Sequence, residues 1–278
     1  MSNSNSILLI GESDVGKTHY GAQLLKRLMK GDGCLSMNGA ATNLEPYEAA
    51  LESLNEGRSA DHTAPGTYVD SIWPIADRDG RCGEIIWPDY GGEQVRNITS
   101  SRRVSDAWRA RILASRAWLL LFRLQQMRVI DDIFSRPLNS LRITPVEDRE
   151  VQISDQARLI ELLQVLMFVG HTSSSDGRVA LPKLGILLTC WDELGFRGRP
   201  VDALNERLPM LKEFVEANWQ DALILGLSAL GRSLSPRGRD MEYVARGPEH
   251  FGYVVTADGS EAPDLTLPIA MMLDGSVA

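Results

Sequence analysis

A glycine-rich stretch near the N-terminus constrains the fold of this chain more than any other feature. It reads Gly11-Glu12-Ser13-Asp14-Val15-Gly16-Lys17-Thr18 and matches the pattern G-x-x-x-x-G-K-S/T at every defined position. The apolar run 7–10 before it is typical of a buried strand, and residues 19–29 after it carry leucines at helical spacing. A strand, such a loop and a helix, in this order, form a turn whose main-chain N–H groups bind phosphate at a helix N-terminus.

The residues of this loop have distinct expected roles. Lys17 is long enough to reach the β- and γ-phosphates of a nucleotide, which makes it a candidate catalytic residue. The hydroxyl of Thr18 is a candidate ligand for Mg²⁺. The candidate nucleotide-binding residues of this segment are Gly11, Asp14, Val15, Gly16, Lys17, Thr18 and His19.

Composition and charge narrow the class of protein further. The net charge of −8 argues against nucleic acid binding, and no apolar run is long enough to span a membrane. Residues 1–6 lack the pattern of a signal peptide, so we expect a cytoplasmic protein. The three cysteines and four histidines are widely spaced, so the only metal we expect is Mg²⁺ bound with the nucleotide.

Strand and helix patterns alternate along the chain. Strands are predicted at 7–10, 67–75, 82–88, 117–122, 184–188 and 222–227, with 67–75 and 82–88 forming a hairpin. Helices are predicted at 19–29, 45–56, after residue 94 as far as about 115, at 155–169 and at about 202–218. This alternation predicts a three-layer α/β fold with a mostly parallel sheet, in which ligands bind at the carboxyl ends of the strands.

The remaining segments suggest how the chain is organised. We expect one domain over 1–246, with an irregular insertion at 125–155, and a C-terminal extension over 247–278 that packs on the same domain. Residues 31–39 look rich in turns, and 171–178 read as a serine-rich loop. In the extension, 251–255 and 264–269 resemble a hairpin or extended segment around a turn at 258–259, and Pro268 is placed to start a last helix.

A second polar motif, Asp89-Tyr90-Gly91-Gly92-Glu93, follows the predicted strand 82–88. Asp89 is placed to hold Mg²⁺ through a water, and the backbone N–H of Gly92 to approach a γ-phosphate. A simple turn would also explain an aspartate and two glycines. The position after a strand that follows a phosphate loop favours the functional interpretation.

A third motif, Thr189-Cys190-Trp191-Asp192, ends another predicted strand. A carboxylate at Asp192 would accept both N1–H and the exocyclic amine of guanine, a donor pair that adenine lacks. The alternative is an aspartate that caps the turn at Glu193. After the last predicted strand, Ser228, Ala229 and Leu230 fit a loop whose backbone N–H groups touch the guanine oxygen.

An arginine-rich stretch, 96–116, follows the second motif. It contains Arg102, Arg103, Arg109 and Arg111. One interpretation is a solvated helix face, and the other is a surface that faces a partner or a phosphate beside the site.

The three motifs and the Ser228–Leu230 loop together resemble those of the translation-factor-like and Ras-like P-loop GTPases, over about residues 7–235. More narrowly, the chain resembles the bacterial double-GTPase group of this class. The cues are the DxxGE form of the second motif, the T-x-x-D form of the third, and the tail GYVV…DG…DLTLPIA. The resemblance implies a P-loop GTPase fold, bound GTP or GDP with Mg²⁺, and GTP hydrolysis as a switch. It also implies a protein effector or activating partner, which in that group includes a second GTPase subunit, and a role in prokaryotic conflict or defence systems.

The chain departs from the family pattern at informative positions. Thr189 stands where the family has an asparagine that braces the phosphate loop, and Cys190 where it has a lysine that lies along the base. Glu93 stands at the position of the water-orienting glutamine, with Gln94 next to it as a substitute. We therefore expect Glu93 to be the second catalytic residue and hydrolysis to be slow without a partner.

The threonine of the first switch must lie between the first helix and the hairpin. Thr63 and Thr67 are the candidates, and we prefer Thr63 as the Mg²⁺ ligand because Thr67 begins the predicted strand. Two other functions compete with a GTPase switch. One is a regulatory or scaffold subunit that binds nucleotide with little or no hydrolysis, and the other is an ATP-using enzyme of the same loop class.

Overall fold

The computed structural model describes residues 5–60, 70–88, 92–128, 153–170, 172–173 and 179–273. Its strands are β1 (Asn5–Gly11), β2 (Leu35–Met37), β3 (Ser71–Asp77), β4 (Cys82–Trp87), β5 (Ala117–Phe122), β6 (Thr172–Ser173), β7 (Val179–Ala180), β8 (Lys183–Thr189), β9 (Leu223–Ser228), β10 (Tyr253–Val255) and β11 (Glu261–Ala262). Its α-helices are α1 (Lys17–Lys30), α2 (Glu45–Asn55), α3 (Glu93–Ser101), α4 (Asp106–Ala114), α5 (Asp155–Gly170), α6 (Pro200–Arg207), α7 (Pro209–Asn218), α8 (Met241–Arg246) and α9 (Leu267–Leu273). No helix in these ranges is long and apolar enough to cross a membrane.

One nine-stranded sheet organises the molecule, in the order β11-β10-β9-β8-β5-β1-β4-β3-β2. The five central strands, from β9 to β4, run parallel. The two strands at each edge are antiparallel. β6 and β7 pair separately as a small hairpin.

Apolar sequence explains why the parallel strands lie at the centre. Every residue of β5 is buried, and so are the last six residues of β1 and of β8, as expected for strands covered on both faces. Leucine-rich α5 packs its buried face with α3, α4 and α7 against one side of the sheet. Helices α1 and α9 cover the other side, where Tyr20 and Ile269 are fully buried. The three-layer α/β fold with a mostly parallel sheet is therefore confirmed.

Two predicted helices are each broken in two. The region after residue 94 divides at Arg102, whose left-handed backbone (φ 51°) ends α3, and Ser105 then caps α4 by accepting a bond from Trp108 N. The helix predicted at 202–218 divides at Leu208, because Pro209 has no N–H to donate and starts α7 instead. The prediction of one helix at 202–218 was wrong, whereas the predicted helical region after residue 94 contains two helices.

The other differences lie in short elements. Part of the stretch predicted as turns, 31–39, forms β2, which pairs with β3. The hairpin partner of β10 is β11 at Glu261–Ala262 rather than 264–269, much of which belongs to α9. The predicted strand 67–75 appears as β3, which begins at Ser71 and ends two residues later than predicted, at Asp77. Residues 67–69 of the prediction lie outside the described residues. Most of the predicted insertion and of the loop 171–178 also lies outside them.

Buried hydrogen bonds join α1 to the C-terminal part of the chain. The Tyr20 hydroxyl donates to the Leu265 carbonyl at 3.0 Å, and Gln23 donates to the Tyr243 hydroxyl at 2.8 Å. Arg27 donates to the Phe251 carbonyl at 2.6 Å. These bonds fix the helix that begins at the phosphate loop.

Candidate functional site

A cavity of about 780 Å³ opens at the carboxyl ends of the parallel strands. Predicted site residues from all three motifs and from the loop after β9 line it: Asp14, Gly16, Lys17, Thr18, His19, Gly92, Glu93, Thr189, Asp192, Ala229 and Leu230. Three others lie behind its wall, since Gly11, Val15 and Ser228 are buried. Asp89, Thr63 and Thr67 lie outside the described residues.

The phosphate loop forms one end of this cavity. Asp14 (φ 63°) and Gly16 (φ 78°) have left-handed backbones, which curl the chain between β1 and α1. The ammonium group of Lys17 donates to the carbonyl of Glu12, so it lies across its own loop. Burial lowers the pKa of Lys17 to about 8, against the nearby charge of Asp14, which acts to raise it. A bound anion would therefore raise the pKa of Lys17 and favour its charged form.

Gly92 presses against the phosphate loop. A Cβ at this position would overlap the backbone nitrogen of Ser13, so only glycine allows α3 to begin so close to the loop. Glu93, the first residue of α3, is exposed and lines the cavity. Gln94 accepts a hydrogen bond from the Trp108 indole at 3.2 Å and is not among the lining residues. Gln94 is therefore poorly placed to substitute for Glu93.

The segment that precedes Thr63 also reaches the cavity. Ser59 and Ala60 line its edge, and the backbone N–H of Ala60 donates to Nε2 of His19 at 3.0 Å. The other end of this segment is held at Asp70, which forms an ion pair with Arg111 at 2.6 Å. Ala60 is thus bonded to α1, which begins at the phosphate loop, and Asp70 is paired with α4.

Asp192 occupies the opposite end of the cavity. It lies in a single helical turn after β8, and its Oδ1 accepts a hydrogen bond of 2.5 Å from the Ser228 hydroxyl. The Ser228 oxygen in turn accepts from Gly231 N at 2.9 Å. One carboxylate oxygen of Asp192 is thus fixed from within the protein.

The three residues before Asp192 differ in environment. The hydroxyl of Thr189 is buried and has no hydrogen-bond partner among the residues that the structure describes. Cys190 has a left-handed backbone and lines the cavity, and burial raises its pKa to about 11, so the thiol is neutral. Trp191 is buried and packs edge-on against Phe196, with ring centroids 5.9 Å apart. Its ring belongs to the core and does not face the cavity.

A protein-family model described as Double-GTPase 1 matches residues 8–272, nearly the whole chain. The chain belongs to the Double-GTPase 1 family. This membership agrees with the resemblance that the motifs carry.

Solved structures of two P-loop proteins are similar to this family member at low sequence identity. A bacterial selenocysteine-specific elongation factor, EF-Sec, is 17% identical over 81% of this chain, with a TM-score of 0.39, and the match spans 26% of that chain. The signal recognition particle receptor SRb, from an SRb-GTP/SRX complex of Chaetomium thermophilum, is 14% identical over 84% of this chain and 95% of its own, also with a TM-score of 0.39. No curated protein matches the chain significantly.

One oxygen donor at the phosphate end of this Double-GTPase 1 member, the Thr18 hydroxyl, is chemically suited to Mg²⁺. Mg²⁺ prefers oxygen ligands and commonly takes only one or two from the protein, with water and phosphate oxygens completing the shell. Thr18 provides a hydroxyl on the cavity wall directly beside Lys17. The proposed second and third ligands, Asp89 and Thr63, lie outside the described residues.

Sequence reasoning missed a buried carboxylate inside the phosphate loop. Glu12 is 6% exposed and forms ion pairs with Arg96 of α3, at 3.3 Å, and with Arg158 of α5. Arg158 also contacts Asp155 at 2.9 Å. A charged residue at Glu12 was visible in the sequence, but its partners come from helices 84 and 146 residues further along and carry no local signal.

The structure divides the arginine-rich stretch 96–116. Arg96 and Arg111 have structural roles in the ion pairs with Glu12 and Asp70, and Arg102 contacts Glu161 at 2.6 Å. Arg103 and Arg109 are exposed, and neither has an ion-pair partner in the part of the chain that the structure describes. These two fit the interpretation of a solvated or partner-facing surface.

Proposed function

We propose that this chain binds GTP with Mg²⁺ and hydrolyses it to GDP and phosphate as a molecular switch. The observation that carries the proposal is one cavity with a phosphate loop at one end and a carboxylate, Asp192, at the other. Membership of the Double-GTPase 1 family supports it.

The phosphate end would stabilise the transferring group. Negative charge builds on the phosphoryl oxygens and the leaving oxygen as the bond to the γ-phosphate breaks, and preorganised cations and N–H groups lower the barrier. Lys17 provides the charge, and the backbone of Gly92 lies close enough to the loop to contact a γ-phosphate. Thr18, Thr63 and Asp89 would hold Mg²⁺, which would supply positive charge that neutralises the phosphates.

The base end would select guanine. Asp192 presents a carboxylate that Ser228 already orients, so little freedom is lost when a ligand binds. A carboxylate pairs with the two adjacent donors of guanine, whereas adenine offers an unprotonated N1 at the same edge. Ala229 and Leu230 line the same cavity, and their backbone N–H groups would meet the guanine oxygen.

Glu93 is the residue that we propose positions the attacking water. It lies at the start of α3, beside Gly92, and is exposed to the cavity.

A second candidate function follows from the same geometry. Because Gln94 is bonded to Trp108, the site has a carboxylate where a neutral amide would repel the γ-phosphate less. A nucleotide-binding scaffold with little hydrolysis is therefore the alternative.

Binding measurements test the guanine site first. Calorimetry with Mg²⁺ should show tight binding of GDP and of a slowly hydrolysed GTP analogue, and none of ADP. Asp192→Asn should move the preference from GDP to xanthosine diphosphate by about a hundredfold. The NH₂ group of the asparagine can donate to the xanthine oxygen but cannot accept a hydrogen bond from the guanine amine. Equal binding of GDP and ADP by the parent chain would contradict the proposal.

Turnover distinguishes the switch from the scaffold. Glu93→Ala should reduce the rate of GTP hydrolysis at least tenfold while leaving GDP affinity within about twofold, because the side chain acts on water rather than on the ligand. Phosphate release from the parent at a rate no higher than from Lys17→Ala would favour the scaffold.

We also propose that a protein partner stimulates this chain, within a bacterial defence or signalling system of the kind that the family resemblance implies. Phe168 of α5 is 81% exposed and borders a groove of about 450 Å³ together with Arg109. Exposed apolar and cationic groups of this kind suit a partner segment that is apolar and acidic. Phe168→Ser with Arg109→Glu should abolish stimulation by the partner and leave intrinsic turnover unchanged.

A further inference from the structure

The base end of the cavity lacks the side chain that should cover the purine. In related GTPases a lysine lies along the base, but here that position is Cys190, whose side chain is short. Its sulfur lies 3.7 Å from where a Cβ of Gly16 would be, so it is directed at the phosphate loop. Trp191 does not replace the lysine either, because its ring packs under Gly226, where a Cβ would lie 2.6 Å from it.

Arg123 lies where a replacement is needed. It follows β5, and the register of β5 with β8 places it beside Thr189. Its side chain is about three-quarters buried and lines the same cavity as Cys190 and Asp192. Arg123 is a long cationic side chain that lines the cavity. It directly follows β5, the neighbour of the strand β8 that leads into the third motif.

Glu193 fixes the plane of this guanidinium group. The Arg123 Nε donates to Oε2 of Glu193 at 2.7 Å, and Nη2 donates to Oε1 at 2.6 Å. Such a two-pronged pair fixes the orientation of the planar guanidinium group and uses the donors along one of its edges. Because Glu193 follows Asp192 directly, the fork and the base-reading carboxylate belong to the same helical turn.

A flat guanidinium group is suited to an aromatic ring. It is less strongly hydrated than an ammonium group and stacks on aromatic faces. Glu193 already balances the charge of Arg123. The face of the guanidinium group would therefore attract an aromatic ring more than it attracts the phosphates. A group held before the ligand arrives also loses little conformational entropy on binding.

From these contacts we infer that Arg123, oriented by Glu193, covers one face of the purine in place of a side chain at position 190. The inference rests on the proposed function, since it requires that a purine nucleotide occupies the cavity. Arg123 is then a specificity residue, and Glu193 is a positioning residue that acts through it.

The test compares a ligand with a base and a ligand without one. Calorimetry would measure Mg²⁺-GDP and Mg²⁺-pyrophosphate on the parent, on Arg123→Ala and on Glu193→Ala. The matched control is Arg199→Ala, because Arg199 forms a similar fork with Asp202, at 2.8 Å for both bonds, outside the lining residues. Unfolding midpoints would show that each variant is folded.

Arg123→Ala should weaken GDP about tenfold and change pyrophosphate affinity less than twofold, and Glu193→Ala should weaken GDP by a smaller factor in the same direction. Arg199→Ala should change neither ligand. Equal weakening of GDP and pyrophosphate, or no weakening of GDP, would overturn the role of Arg123 alone. A parent chain that binds pyrophosphate but not GDP would overturn the guanine site itself.

Discussion

At the proposed phosphate end of the cavity, the wall is formed mainly by the backbone of one short segment, and at the proposed base end it is formed by side chains from the ends of three strands. The phosphate end consists of the curled chain around Gly16, the ammonium group of Lys17 and the close approach of Gly92. The base end brings together Arg123 after β5, Asp192 after β8 and Ser228 at the end of β9. Backbone geometry is fixed by a few glycines, whereas Arg123, Asp192 and Ser228 are each held by a partner of their own.

This difference has a consequence for how substitutions act. Gly92 at the phosphate end tolerates almost no added volume, since the backbone of the phosphate loop fills the space. At the base end a substitution removes one contact and leaves the others, so losses are smaller and depend on the ligand. Substitutions at the phosphate end should therefore have larger effects than substitutions at the base end.

The largest effect is expected at Gly92. In Gly92→Ala the added Cβ overlaps the Ser13 backbone, so α3 must move away from the loop. We expect the free energy of unfolding to fall by about 3 kcal/mol, because overpacking against rigid backbone costs this much. Affinity for a GTP analogue should fall more than affinity for GDP, since Gly92 is proposed to contact the γ-phosphate. Denaturant unfolding and calorimetry measure the two effects.

Gly238→Ala is the control for this change. A Cβ at position 238 would meet only the Ser235 side chain, at an ordinary 3.5 Å, and the backbone is not left-handed. Its effect on unfolding should be below about 0.5 kcal/mol. Similar losses at both positions would show that α3 does not need to touch the phosphate loop.

The two ends also differ in how far the sequence predicted them. Every element that carries a motif was predicted, because the glycine loop and the apolar strands are local signals. The partners that orient the site were not predicted. Arg123 and Glu193 are 70 residues apart, and their pairing depends on β5 and β8 being neighbours in the sheet. The break at Leu208 was missed for a different reason. Pro209 was a local signal for a helix start, but the apolar spacing over 202–218 concealed it.

The next effect concerns the charge of Lys17. Its folded-state pKa is about 8, below the ordinary 10.5, so between these values the unfolded chain holds a proton that the folded chain has lost. The stability of the nucleotide-free protein should therefore rise with pH across this window, and the burial penalty is fully present below pH 8. Phosphate would raise the Lys17 pKa again, so GDP binding above pH 8 should take up a proton.

Proton uptake is measured directly by calorimetry of GDP binding in two buffers that differ in ionisation enthalpy. We expect close to no uptake at pH 7 and about three-quarters of a proton at pH 8.5, as follows from a pKa of about 8. Lys17→Arg, which remains charged throughout, should show none at either pH. Equal uptake by both chains would assign the proton to another group.

The smallest effect is expected at Thr189, and it should have opposite signs with and without nucleotide. Its hydroxyl is buried and lacks a hydrogen-bond partner among the described residues, so Thr189→Val should stabilise the empty chain by about 1 kcal/mol. The same change should weaken GDP about threefold, because Thr189 lines the cavity and a bound nucleotide is proposed to supply a partner for its hydroxyl. Thr99→Val is the matched control, since the Thr99 hydroxyl is also buried but donates to the Arg96 carbonyl at 2.8 Å. That variant should lose stability and keep its GDP affinity. If both valine variants lost stability alike, the Thr189 hydroxyl would already be satisfied in the empty chain, and the base end would be as complete before binding as the phosphate end.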